Sequence, residues 1–428
     1  ATGENEVLAM GDCAINIHPT EDELVEIAGE SAECAKIFGV DPKVAFLSYS
    51  TLGSGKGEDV DKMRNAAAKA KAKYPSLPIE GELQFDAAVS PRVARTKCPG
   101  NEVAGHANTT EPYHTAFLNA QKKFREMGHP LDLGPNCYAD CGIGISNTPE
   151  ACGRELTEYY CSDKNEVLIS CGGGELMCET LDAVDFEQIR AAVPKWYMGY
   201  SDNTNMTYLL ATLCDTASVY GPCAAAFGME PWHQSLSDAY ALLRGQKHTV
   251  NGYDLWEKES LKDVEHPLAP YHVTEQRILH VFPESTEALT VQGRLIGGCV
   301  DCLVNLLGTT YDKTTGFVEK YKNDGMIWFL ESCDLNVMAI RRAVWQMKHA
   351  GWFSHVKAFL IGRPAVYGQE LMGLDQYHAV WDLLKDYGVP VIMDVDIGHL
   401  APMMPLVCGS YATVQVNGND ISVKMEYL

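Results

Sequence analysis

The chain has 428 residues, 46% of them hydrophobic and 21% charged, the make-up of a folding globular protein too long for one core, so two or three domains are expected. Acidic residues outnumber basic ones 57 to 34, giving a formal charge of -23, which repels phosphate backbones and anionic lipid and argues against nucleic-acid and membrane partners. No stretch approaches the roughly 18 unbroken apolar residues of a membrane span, and the opening ATGENEVLAMGDC lacks the basic-then-apolar order of a secretory signal, so a cytoplasmic protein is expected.

The first hundred residues read as a small α/β unit. Thr20 caps an amphipathic helix, EDELVEIAGESAECAKIFG, closed by Gly39, and KVAFLSYST follows as a buried strand. The loop with Gly53, Gly55 and Gly57 lacks the spacer and the Lys-Ser/Thr pair of a phosphate-binding loop, so it reads as a strand-to-helix turn. Between Lys97 and Glu111 the composition shifts to Pro, Gly, Asn and Thr, which places a boundary near Asn108.

Beyond it, helices and strands alternate: a helix around HTAFLNAQKKFREMG, the strand NEVLISCGG, the helix DFEQIRAAV, the strand KWYMGYS and the helix NTNMTYLLATLC. That order predicts a parallel sheet covered on both faces. The pattern loosens into a polar connecting region over residues 236–288. It resumes in a separate C-terminal domain, 289–428, with strands GMIWFLE, VKAFLIGRP and VPVIMDVD and a helix capped by Asp334.

The 15 cysteines are scattered through apolar segments and read as reduced, buried thiols. The pair Cys299 and Cys302 has no second pair at metal-site spacing, so no metal is expected there. Three polar residues sit at the carboxyl ends of expected strands, the edge where open α/β sheets carry catalytic groups: Ser201, Glu331 and His399. They supply a nucleophile, an imidazole to take its proton, and a carboxylate to fix the imidazole's tautomer. GYSDN half matches a nucleophile elbow, with Asn203 where a second glycine would stand. Ser201 also fits a plain helix cap, Glu331 a loop carboxylate, and His399 a loop histidine. Gly173 or Gly174, with the N–H of Asp202, would form an oxyanion hole. Cys171 lies within an apolar strand, where burial disfavours the thiolate a nucleophile needs.

The blocks KWYMGYSDNT, SVYGPCAAAFGMEPWHQSL, GRLIGGCVDCLVNLLGTTYDKT, MIWFLESCDL, AVWQMKHAGWF and DVDIGHLAP occur in one order. Residues 111–428 thereby resemble the LD-carboxypeptidases, which include the microcin self-immunity peptidases. The resemblance places the nucleophile on Ser201, the glutamate on Glu331 and the histidine on His399. It implies hydrolysis of an amide between an L- and a D-residue, such as the terminal D-alanine of murein tetrapeptide, or of an antibiotic conjugate. It further implies an α/β nucleophile domain over 109–235, a β-rich C-terminal domain, a homodimer, and no cofactor. Arg294 and Arg363, beside glycine turns, are candidates to hold a substrate carboxylate or to form structural ion pairs. MGDCAIN, VAFLSYSTLGSGKG, ELQFDAAV and EVAGHAN resemble an internal part of phosphate acetyltransferase over 1–108, ending before that family's catalytic positions. The peptidase family's usual first strand is missing before Glu111, which predicts an open sheet edge; KVAFLSYST is the one candidate to fill it.

Overall fold

The structure is a computed structural model that describes residues 19–37, 42–50, 56–75, 77–84, 111–139, 145–284 and 287–427. Gly39, the loop at Gly53 and Gly55, and the boundary at Asn108 lie outside these residues. The chain divides into two compact units, 1–103 and 104–428.

In the first unit the helix Glu21–Ile37 opens with reciprocal bonds: the Glu23 N–H donates to Thr20 Oγ1 and the Thr20 N–H to Glu23 Oε2. This satisfies amides that a helix start leaves orphaned. Strands β1 (Val44–Leu47) and β2 (Ile79–Leu83) pair in parallel. Two strands alone are marginal, and the helix Glu58–Lys73 buries Ala66, Ala67 and Ala70 beside Phe46 and Ile79 to complete a core. Among the described residues, strand β1 pairs with β2 alone.

The second unit holds two principal sheets over one continuous core. The smaller has the order β14-β5-β4-β3, where β3 is Val167–Ile169, β4 Trp196–Gly199, β5 Ser218–Tyr220 and β14 Leu406–Cys408. β3, β4 and β5 run parallel, while β14 arrives from the carboxy-terminal half and pairs antiparallel with β5. The regions expected as separate domains thus share a sheet. Among the described residues β3 is an edge strand, and a cavity of about 820 Å³ lined by Val167, Leu168 and Ile169 lies beside it.

The larger sheet has the order β6-β16-β15-β10-β11-β12-β13-β9. Its parallel centre is β10 (Leu289–Cys299), β11 (Met326–Glu331), β12 (Val356–Gly362) and β13 (Val391–Val395). Every residue of β11 and β13 is buried, as strands covered on both faces require, and this is why they read as largely apolar runs, with Glu331 at the end of β11 and Asp394 within β13 the exceptions. β15 (Tyr411–Asn417) and β16 (Asp420–Glu426) instead alternate buried and accessible residues, the mark of one wet face. The region 236–288 is more structured than its sequence predicts. It supplies β6 (Thr249–Asn251) to one edge and β9 (His280–Phe282) to the other, and β7 (Leu255–Trp256) and β8 (Glu275–Gln276) pair with each other. Asp334 is not the cap of the helix Val337–His349: Asn336 accepts from the Ala339 N–H at 2.9 Å, while the Asp334 N–H donates to Asp301.

Candidate active site

Ser201 follows β4 in the left-handed region, with φ at 62°. A non-glycine residue there is strained by about 1–2 kcal/mol and persists only when its neighbours hold it. Several do. The Asn203 amide donates to the carbonyls of Gly172 at 2.9 Å and Tyr200 at 3.0 Å, and accepts from the Tyr197 hydroxyl at 2.6 Å. A Cβ on Gly199 would fall 2.7 Å from Asn203 Cγ, so glycine before the serine is required by this packing. The residue that departs from the elbow pattern, Asn203, thus ties the Ser201 turn to the glycine turn.

Ser201 does not act as a helix cap. Its Oγ lies 2.9 Å from His399 Nε2, and His399 Nδ1 lies 2.9 Å from Glu331 Oε2. Glu331 ends β11 and is fully buried. His399 follows β13 through Gly398, whose φ of 104° favours glycine. A Cβ there would also come within 2.6 Å of Glu331 Oε2. Three residues from distant parts of the chain therefore form one relay, the arrangement that activates a serine hydroxyl.

Burial alone would raise the Glu331 carboxyl, but the His399 charge and hydrogen bonds from His399, Tyr220 and Cys299 outweigh it and hold the carboxyl below its ordinary range. For His399 burial opposes the proton, yet Glu331 and Cys333 dominate and raise the imidazole well above a free histidine. The pair favours the charge-separated form.

Gly173 lies against the nucleophile: an added Cβ would sit 3.7 Å from Ser201 Oγ. Asp202 occupies the first turn of the 3-10 segment Ser201–Asn203, where main-chain N–H groups have no preceding helical carbonyl to reach. Its carboxylate accepts from the Met177 N–H at 2.8 Å and from Asn205 at 3.0 Å, and burial pushes its pKa up to about 6. Asp202 thereby anchors the segment carrying Gly173 and Gly174 beside Ser201. The 820 Å³ cavity is lined by Gly173, Gly174 and Asp202 but not by Ser201, Glu331 or His399, so it adjoins the relay without containing it.

Arg294 and Arg363 are not brought to the site as free guanidinium groups. Arg294 pairs with Asp324 at 2.6 Å, donates to the Gly409 carbonyl, and stacks on Tyr321 at 3.7 Å. It aligns with Met326 at the start of β11, five positions from Glu331, which is about 16 Å along a strand. Arg363 is buried and bonds Asp396 at 2.5 Å and the Asp394 carbonyl at 2.8 Å. Arg277 holds the other Asp396 oxygen at 3.2 Å. These are the structural ion pairs of the alternative reading, and the Arg363 pair fixes the segment just before His399.

Sequence reasoning passed over Tyr220. Its buried hydroxyl lies 2.5 Å from Glu331 Oε1 and 3.1 Å from the Ser201 nitrogen. The only available signal was its position at the end of β5. Cys302 and Cys299 lie alongside: the first donates to the Ser201 carbonyl at 3.5 Å and the second to Asp301 at 3.4 Å. Cys171, just past β3, has its sulfur 3.1 Å from that of Cys137. Among the described residues no group of three or more His, Cys, Asp or Glu is arranged to hold a metal ion, and no helix is long and apolar enough to cross a membrane.

Residues 103–221 match the family model of the LD-carboxypeptidase N-terminal domain and residues 292–414 that of its C-terminal domain, together more than half of the chain. The solved structure of the microcin C7 self immunity protein MccF in the wild-type apo state is similar with a TM-score of 0.63 at 20% identity, over 76% of this chain and 95% of that one. An MccF-like protein from Bacillus anthracis gives 0.59 at 18%, over 76% and 94%. At these identities the likeness is one of fold. Residues 1–110 match the phosphate acetyl/butaryl transferase model. The phosphate acetyltransferase of Corynebacterium glutamicum is 48% identical over 132 residues, 30% of this chain and 39% of that enzyme. That of Nitratidesulfovibrio vulgaris is 55% identical over 133 residues, 31% and 19%. The chain spans well under half the length of either enzyme.

Proposed function

This chain belongs, through residues 103–221 and 292–414, to the LD-carboxypeptidase family of serine peptidases, and on that premise we propose that it hydrolyses an amide between an L- and a D-residue through Ser201, His399 and Glu331. The observation that carries the reading is the unbroken relay from Ser201 Oγ through His399 to Glu331, with both steps at 2.9 Å. His399 Nε2 takes the Ser201 proton as Oγ attacks the carbonyl carbon. The oxyanion is held by main-chain N–H groups of the Gly173–Gly174 turn and of Asp202. His399 then passes the proton to the leaving amine, and water attacks the acyl-enzyme in the same way. The Ser201 N–H faces the Tyr220 hydroxyl and takes no part in the hole.

The terminal D-alanine of murein tetrapeptide is the proposed substrate. A second reading, an aminoacyl or peptidyl antibiotic conjugate, is favoured by one observation: Arg294 and Arg363 are both engaged in ion pairs, which leaves a terminal carboxylate without either expected partner. The test is release of D-alanine from an L,D-linked tetrapeptide by the wild type and by Ser201→Ala, alongside labelling with a fluorophosphonate. Release and labelling by the wild type alone support the peptidase reading. Labelling without release turns the search to conjugates, and neither from folded protein would leave a binding module that has lost catalysis.

A further inference from the structure

We infer that Tyr220 is a positioning residue that couples the Ser201 turn to the Glu331 carboxylate, an inference that rests on the peptidase reading of this site. A main-chain N–H can only donate, so the contact at 3.1 Å makes the Tyr220 oxygen the acceptor from Ser201. The one phenolic proton is then left for Glu331 Oε1, 2.5 Å away. The direction of both bonds is fixed without reference to the proton positions of any other group.

The placement is specific. β5 lies beside β4 in the smaller sheet, with Tyr220 aligned to Gly199 two residues before the nucleophile, whereas Glu331 ends a strand of the larger sheet. A single hydroxyl therefore bridges two sheets at the point where both deliver catalytic groups. The ring packs on Phe329 at 5.4 Å between centroids, and the side chain is fully buried, so no water substitutes readily for the hydroxyl.

Two consequences follow. The bond to the Ser201 N–H satisfies a partly buried donor within a left-handed turn and turns that N–H away from the oxyanion site. The bond to Glu331 draws charge from the oxygen that does not face His399, limiting how strongly the carboxylate holds the imidazole proton. The other titratable groups acting on His399 and Glu331 are Cys333, Cys299, Cys302, Cys223, Asp301 and Glu175, with the Tyr200 ring against the imidazole, and none of these contacts needs the Tyr220 hydroxyl.

The test is Tyr220→Phe, which keeps the ring and removes the hydroxyl. The His399 titration is followed by NMR on histidine-labelled protein, its resonance assigned by its absence in His399→Gln. The expected result is an upward move of the His399 titration and a fall in kcat of about ten- to a hundredfold, the size of losing a hydrogen bond to a charged group, with KM little changed. A ring-fluorinated tyrosine placed at position 220 keeps the hydroxyl as a stronger donor and moves the titration downward, a readout that remains if Tyr220→Phe does not fold. An unmoved His399 titration in either folded variant overturns the inference. Because the titration needs no turnover, a wild type that shows the shifts but releases no D-alanine refutes the substrate reading alone.

Discussion

Replacing Glu331 by glutamine is the sharpest perturbation of the relay, because it removes one charge and almost no volume. The carboxylate accepts from His399 Nδ1 at 2.9 Å through one oxygen and from Tyr220 at 2.5 Å through the other. In Glu331→Gln an amide NH2 must face one of these groups. If it faces His399, the imidazole turns its acceptor nitrogen toward the new amide and carries its proton on Nε2, where it blocks rather than accepts the Ser201 proton. If it faces Tyr220, the amide oxygen still accepts from Nδ1 but no charge opposes the imidazolium that forms during attack. Unit charges about 4 Å apart interact by about 4 kcal/mol at an effective dielectric of about 20, and 1.36 kcal/mol is tenfold in rate. The loss expected in kcat is therefore on the order of 10³-fold in the second case and about 10⁴-fold in the first. The assay is D-alanine release under saturating tetrapeptide, with circular dichroism and a urea melt to establish folding. A folded Glu331→Gln enzyme retaining more than about a tenth of wild-type kcat would refute the assignment, since neither amide orientation sustains it.

The pH dependence follows from the same pair. Glu331 raises His399 well above its ordinary 6.5, and only neutral imidazole accepts the Ser201 proton, so kcat/KM should fall as pH drops through a value above that of a free histidine. The sign for stability is opposite: a raised histidine stabilises the fold fully below its unfolded value and loses that contribution as pH rises through the folded one. A kcat/KM profile whose acid limb lies at or below the free-histidine value would contradict this. Arg363→Met should lower unfolding free energy by about 1.5–3 kcal/mol, the size of a hydrogen bond to a charged group, because the buried Asp396 carboxylate loses one partner and keeps Arg277, while KM stays near wild type. A selective rise in KM without loss of stability would restore Arg363 as a substrate ligand.

How much of this was legible in the sequence depends on how local each signal is. MIWFLE and VPVIMDVD announced themselves because strands buried on both faces are mostly apolar, and their carboxyl ends fell at the sheet edge where Glu331 and His399 sit. Ser201 was legible by the same route. Strands β6 and β9 were not, since they are three residues each and their partners, Lys424 to Ser422 and Val391 to Met393, lie more than a hundred residues away. Nothing within 236–288 encodes those pairings. Asp334 and Asn336 are both good caps two positions apart, and only the tertiary bond from the Asp334 N–H to Asp301 decides between them. The arginines were ambiguous for a related reason: a guanidinium beside a glycine turn looks the same whether its carboxylate belongs to a ligand or to Asp324 or Asp396.

The position of Tyr220 explains why the two sheets must fold as one body. The nucleophile turn belongs to the smaller sheet, while the histidine and glutamate belong to the larger one, so the relay exists only where the carboxyl ends of both meet. Strand β14, which follows β13 of the larger sheet in the chain, pairs instead with β5, which carries Tyr220, and the Cys299 N–H at the end of β10 donates to Thr204 Oγ1 just past the Ser201 turn at 2.9 Å. Gly298 makes that approach possible: a Cβ there would fall 2.6 Å from Thr204. The strain of Ser201, about 1–2 kcal/mol, is thus carried by contacts that come from the opposite sheet as well as from its own. A mutation that loosens the seam between the sheets should lower kcat before it lowers overall stability, because the 2.9 Å step from His399 to Ser201 spans that seam.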